Sequence, residues 1–114
     1  MMSELATATW TEVCRKSQLS PGTGVCALVN GKQVAIFWEG ISDQIFAISN
    51  YCPFGKVNML SRGIIGDFKG ELMVASPLYK QRFSLKTGQC LDDDSVTIPT
   101  FQVKVEGDSI KVAA

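Results

Sequence analysis

Short apolar runs separated by turn signals recur along the whole chain, and their periods set the expected elements. The clearest stretch lies near the end. In Phe101-Gln102-Val103-Lys104-Val105-Glu106 apolar and polar residues alternate with period two, so one face is buried. Gly107-Asp108 then turns the chain, and Ile110-Lys111-Val112 repeats the alternation. Upstream, the runs Gly24–Val29 and Lys32–Trp38 flank Asn30-Gly31. Asn-Gly between two apolar runs is a strong hairpin signal, because both central residues of a type I′ turn need positive φ. Further strands are expected at residues 10–14, 44–48, 71–75 and 82–85, and residues 16–22 carry loop chemistry. The section 50–70, with glycines at 55, 63, 66 and 70 and one proline, reads as irregular. No window carries a long amphipathic helix. Eight or more short strands punctuated by turns predict an all-β fold, a small antiparallel barrel or sandwich.

A chain of 114 residues has the commonest size for one domain, and buries roughly two-thirds of its unfolded surface. The expected boundaries are a flexible N-terminus over 1–9 and a single domain over 10–112. This length leaves no room for a second, dinucleotide-binding domain. Eleven basic residues balance eleven acidic ones. Nucleic acid and anionic membranes both select a basic face, so neither is the expected partner. The longest apolar runs, Val25-Cys26-Ala27-Leu28-Val29 and Val34-Ala35-Ile36-Phe37-Trp38, are far shorter than the roughly 20 residues of a membrane-spanning helix. The start, Met1-Met2-Ser3-Glu4-Leu5, lacks the basic and apolar regions of an export signal, so a cytoplasmic protein without disulfides is expected.

The chain has four cysteines and no histidine. The usual general base near neutral pH is therefore missing, along with every histidine-containing metal site. Cys14, Cys26, Cys52 and Cys90 form no C-x-x-C pair, so a four-cysteine zinc site is disfavoured. Cys14 and Cys26 lie at or in apolar strands and read as small core residues. Cys90, after the Thr87-Gly88 turn, reads as packing at a loop base.

Two loops hold the densest chemistry, Asn50-Tyr51-Cys52-Pro53-Phe54-Gly55 and Ser76-Pro77-Leu78-Tyr79-Lys80-Gln81-Arg82-Phe83. The second runs on to Thr87-Gly88-Gln89-Cys90-Leu91. Together they resemble the two cluster-binding loops of the Rieske [2Fe–2S] proteins, which read Cys-Pro-His and Cys-Pro-x-His. In that family two cysteines hold one iron and two histidines the other. On this resemblance Cys52 matches the first cysteine, Phe54 stands at the first histidine, Ser76 at the second cysteine and Tyr79 at the second histidine. One ligand of four survives, so the resemblance implies the Rieske fold without its metal.

The retained prolines, the glycine turn and the stretch Ser-Pro-Leu-x-Lys-Gln-x-Phe resemble one branch, the small subunits of bacterial NAD(P)H-dependent nitrite reductases. The likeness runs from about Trp10 to Val112. It implies a cytoplasmic, non-catalytic subunit with no cofactor of its own. Its partner would be a large subunit carrying FAD, an iron–sulfur cluster and sirohaem, which reduces nitrite to ammonium in nitrate assimilation. The two loops are then expected to form part of the contact, with Phe54, Leu78, Tyr79, Lys80 and Arg82 as candidate partner-binding residues. Phe54 and Tyr79 serve equally as a plug in the vacated cluster space or as aromatic anchors. The run Lys80, Arg82, Lys86 is either a solvated face, the first reading, or a surface that steers docking to an acidic patch. The triplet Asp92-Asp93-Asp94 reads as a solvated turn rather than a cation loop. Two other functions compete: a free-standing Rieske-type electron carrier, and a thiol redox protein using Cys52, whose nearest cation in sequence is Lys56.

Overall fold

The computed structural model describes residues 10–38, 40, 44–78 and 80–113. Its elements are strands, with two single 3-10 turns at Lys16–Gln18 and Leu60–Arg62. Six strands form the main antiparallel sheet: β1 (Trp10–Arg15), β2 (Gly24–Val29), β3 (Lys32–Trp38), β4 (Ile45–Ser49), β10 (Thr100–Glu106) and β11 (Ser109–Ala113). Their order is β1-β11-β10-β4-β3-β2, which curls into a nearly closed barrel. A second sheet, in the order β7-β8-β9, joins Ile64–Phe68, Glu71–Ala75 and Arg82–Ser84. Between them sits a short hairpin of β5 (Tyr51–Cys52) and β6 (Val57–Asn58).

The expected hairpins form. Asn30 and Gly31 have φ of 52° and 79°, as a type I′ turn demands, and β2 pairs with β3 from Gly24↔Phe37 to Val29↔Lys32. Gly107, with φ 62°, turns β10 into β11 in the register Glu106↔Ser109. The section expected to be irregular is more ordered than its glycines suggested. It contains the β5–β6 hairpin and the whole of β7, which pairs with β8 from Ile64↔Ala75 to Phe68↔Glu71. The turn between β7 and β8 is Lys69-Gly70, with φ of 54° and 87°. A lysine in the left-handed region disguises a turn that Asn-Gly would have announced.

Strand β3 explains the two cores. Val34 and Ile36 face the barrel interior with Val29, Ala47, Ile110 and Val112. Ala35 and Phe37 face the other way, joining Ile48, Cys52, Leu60, Val74, Phe83, Leu85 and Cys90 beneath the second sheet. A strand buried on both faces reads as a continuous apolar run, as this one does. Strand β2 has the same kind of sequence but a different fate. Its Val25, Ala27 and Val29 pack into the barrel, while Cys26 and Leu28 point outward. The expectation that Cys26 is a core residue therefore fails, because the second core ends at β3 and leaves the outer face of β2 uncovered. Cys14 is half-buried against the barrel core and Cys90 is buried, as expected.

Candidate functional site

Both loops are built on one backbone device. In the first, the Lys56 N–H donates to the Cys52 carbonyl at 2.7 Å; in the second, the Lys80 N–H donates to the Ser76 carbonyl at 3.0 Å. Each turn spans five residues, carries a proline at its second position (Pro53, Pro77), and ends on a lysine with positive φ, 56° at Lys56 and 64° at Lys80. Proline presets its own φ for a turn, but a lysine in the left-handed region is strained by about 1–2 kcal/mol. The surrounding fold must hold that strain in place.

The anchor of this end is Asn50, which is buried. Its Oδ1 accepts from the Ser61 N–H at 2.6 Å, and its Nδ2 donates to Gln33 Oε1 at 3.1 Å and to Cys26 Sγ at 3.4 Å. Its own N–H donates to the Gln33 carbonyl, and its carbonyl accepts from Met59 and Leu60. One side chain thus ties the first loop to β2, β3 and the 3-10 turn at Leu60–Arg62. Sequence reasoning missed it. The available signal was an asparagine at a strand end just before the cysteine loop, where amide side chains commonly satisfy turn backbone. Cys26 belongs to this cluster, with its sulfur against Asn50 and Gln33, and desolvation there pushes its thiol pKa up.

Cys52 and Ser76 are the deepest parts of the site, both buried. The Cys52 thiol donates to Ser76 Oγ across 3.7 Å, and its sulfur accepts the Gly55 N–H at 3.5 Å. Two ligands bonded at about 2.3 Å to one tetrahedral metal lie roughly 3.8 Å apart, so the pair keeps a ligand spacing. The chemistry does not follow. Phe54 has no donor atom; its half-buried ring packs on Phe83, with centroids 6.1 Å apart. Beside Cys52 the second loop offers only the Ser76 hydroxyl, a much poorer iron ligand than a thiolate. Among the described residues no three His, Cys, Asp or Glu side chains converge on a common point. A [2Fe–2S] cluster, which needs four soft or imidazole ligands, does not fit this donor set.

The remaining sequence-predicted residues fall into two groups. Leu78 is exposed at the tip of the second loop and Lys80 is exposed beside it; Tyr79 lies outside the described residues. Arg82 is not part of a free charged run. Its guanidinium pairs with Asp92 at 2.6 Å and covers the Phe68 ring at 4.1 Å, while its backbone N–H donates to the same carboxylate at 2.8 Å. The guanidinium hydrogen bond, with the backbone one behind it, holds the Asp92 carboxyl below its ordinary range. The Asp92-Asp93-Asp94 triplet is exposed and forms the expected turn, with Asp92 additionally held by Arg82. Asp93 accepts from the Ser95 N–H and hydroxyl and so closes the turn. Beyond the second loop, Gly88 (φ 79°) is required, since a Cβ there would collide with the Ile98 carbonyl. A separate cleft of about 430 Å³, lined by Gln44, Phe46, Glu71, Leu72 and Lys86 among others, contains none of the sequence-predicted site residues.

A barrel capped by a smaller sheet, with two proline loops meeting at Cys52 and Ser76, defines a Rieske-type domain. The profile of the Rieske-like [2Fe–2S] domain matches residues 9–113, and the chain belongs to that family. The nitrite reductase (NADH) small subunit of Salmonella typhimurium is 50% identical over 97 residues, covering 85% of this chain and 90% of that one. The solved structure of Escherichia coli NirD superposes with a TM-score of 0.87 at 43% identity, covering 94% of this chain and 97% of that one. Within the Rieske-like family this chain belongs with the small subunits of NADH nitrite reductase. A longer relative also matches: the nitrite reductase [NAD(P)H] large subunit of Klebsiella oxytoca is 37% identical over 103 residues, which are 90% of this chain and 11% of that polypeptide.

Proposed function

We propose that this chain is an accessory subunit without a redox centre of its own, which acts by binding the large catalytic chain of a cytoplasmic NAD(P)H nitrite reductase. The flavin, iron–sulfur and sirohaem chemistry that takes nitrite to ammonium in nitrate assimilation belongs to the partner in this reading. The observation that carries it is the Klebsiella oxytoca relative, where a similar domain is part of a large-subunit polypeptide. A domain tethered to a catalytic chain in one organism is held there at high effective concentration. The untethered version must achieve the same by affinity.

The contact falls to the former cluster loops, residues 50–56 and 76–82. They are irregular tips on a rigid sheet scaffold, the usual place for binding residues. Leu78 supplies an exposed apolar anchor, with Tyr79, Lys80 and Arg82 beside it, and Phe54 supports the first loop from beneath through Phe83. The test is co-purification of the tagged chain with the large chain, read together with NADH-dependent nitrite consumption. The double substitution Leu78→Ala/Tyr79→Ala should weaken assembly by roughly tenfold to a hundredfold, as expected for truncating two apolar anchors, and leave thermal unfolding nearly unchanged. Undiminished co-purification of the double variant would remove the loops from the contact, and a chain that never captures the large subunit would end the reading itself.

A further inference from the structure

The chain is neutral overall, yet its charge is segregated. Segments 50–64 and 76–82 contain Lys56, Arg62, Lys80 and Arg82 and none of the eleven acidic residues. Arg82 is neutralised by Asp92. Lys56, Arg62 and Lys80 are exposed and make no ion pair among the described residues. The same segments hold four of the exposed large apolar side chains: Tyr51 (44%), Val57 (45%), Ile64 (68%) and Leu78 (64%). Strand register gathers them around the buried pair. Val57 pairs with Cys52, Ile64 pairs with Ala75 next to Ser76, and Leu78 lies two residues beyond. Val57, Ile64 and Arg62 lie outside the two loops expected from the sequence to form the contact.

An apolar patch whose own segments carry three unpaired cations, with the nearby Asp92 committed to Arg82, favours one kind of occupant. A second copy is disfavoured, because a twofold contact brings the same three cations face to face. We propose, building on the accessory-subunit reading, that this end docks on an apolar surface of the large nitrite reductase chain that is rimmed by Asp and Glu. The apolar centre, Leu78 with Ile64 and Val57, supplies affinity by excluding water. Lys56, Arg62 and Lys80 supply orientation and speed, since rim charges act mainly on the encounter rate.

The test measures association of the full chain with its purified large subunit between ~50 and ~500 mM NaCl, where screening shortens from beyond 10 Å to a few ångströms. The association rate should fall steeply with salt. Lys56→Glu/Lys80→Glu should lower it at least about tenfold at low salt and flatten its salt dependence. Lys104→Glu, on β10 of the barrel, is the control and should change it little. Tight binding that ignores both salt and the double reversal overturns this proposal while leaving the accessory-subunit reading intact. Absence of binding by the unaltered chain overturns both. Sedimentation showing that the free chain dimerises, with Leu78→Ser abolishing the dimer, would make a second copy the occupant and refute the proposal.

Discussion

The hairpin at Asn30-Gly31 and the loops ending at Lys56 and Lys80 adopt the same left-handed backbone with different residues. In the barrel hairpin φ is 52° at Asn30 and 79° at Gly31, supplied by the two residue types that tolerate it best. At the loop end φ is 56° and 64° at two lysines, which gain nothing locally from that conformation. At the barrel hairpins β2–β3 and β10–β11 turn chemistry and strand pairing agree. The loop end is held from outside, by Asn50 and by the buried Cys52–Ser76 contact. Conflict between local preference and global fold is expected at sites kept for function. In this molecule two of the three left-handed lysines close the loops that meet at Cys52 and Ser76.

The largest effect expected from breaking that contrast comes from Asn50→Ala. It removes the partner of the half-buried Ser61 N–H and one of the partners of the Gln33 amide oxygen and should cost about 1–2 kcal/mol. The loss should be uneven. In native-state hydrogen exchange the amides of Met59, Leu60 and Ser61 should lose protection first, while those pairing β10 with β11 keep theirs. A uniform loss across both regions would show that barrel and loop end are one cooperative unit and would dissolve the distinction.

The same contrast explains what could be read in advance. The hairpins β2–β3 and β10–β11 were legible because alternation and Asn-Gly or Gly-Asp turns are local signals. Strand β7 was not, since Gly66 interrupts its apolar run and Lys69 occupies the turn position where a small polar residue would be expected. The outward Cys26 was misread because β2 and β3 are equally apolar. Only the extent of the second sheet decides which one is covered twice. At the site, the ligand losses at Phe54 and Ser76 were plain in the sequence, and the loops were correctly paired. The Asn50 hub and the apolar residues Val57 and Ile64 were hidden, because their roles depend on which strands lie beside the loops. The missing carboxylates of 50–64 and 76–82 were visible in the sequence, but gain meaning only once both segments share one end.

A smaller effect tests whether the strained lysines are retained for their charge. Lys69→Gly relieves the left-handed strain in the β7–β8 turn and should stabilise the fold by up to about 1 kcal/mol, the strain removed less the backbone entropy that glycine costs. Lys56→Gly and Lys80→Gly should stabilise by similar amounts. The two loop variants should also slow association with the large subunit, whereas Lys69→Gly should not. Asn30→Gly in the barrel should change stability by only a few tenths of a kcal/mol, because asparagine is already comfortable there. Equal gains at all four positions in thermal or denaturant unfolding would mean that the three lysines carry no more strain than Asn30.

The smallest expected effect concerns the latch between Arg82 and Asp92, where the loop end meets the turn that follows it. Hydrogen bonding to Arg82 lowers the Asp92 pKa in the folded state, so the folded protein binds this proton less readily than the unfolded chain does. The stabilisation is therefore complete above the ordinary carboxylate range and is lost as pH falls below it, through the depressed folded value. Glu106, held below its usual range by Lys111 and Lys104, places a pair of the same sign on the barrel. Both are solvent-exposed and should contribute little at neutral pH. Asp92→Asn should flatten the acid side of the stability curve and loosen Arg82 from Phe68. Glu106→Gln should flatten it similarly without disturbing the second loop. The discriminating measurement is exchange at the Arg82 and Leu91 amides, since Arg82 N–H donates to the Asp92 carboxylate and Leu91 N–H to the Arg82 carbonyl. A loss of protection there at acid pH, after correction for the intrinsic pH dependence of amide exchange, in the unaltered protein but not in Asp92→Asn, would tie the second loop's order to this single carboxylate. Equal acid sensitivity in both would assign the acid loss to the barrel.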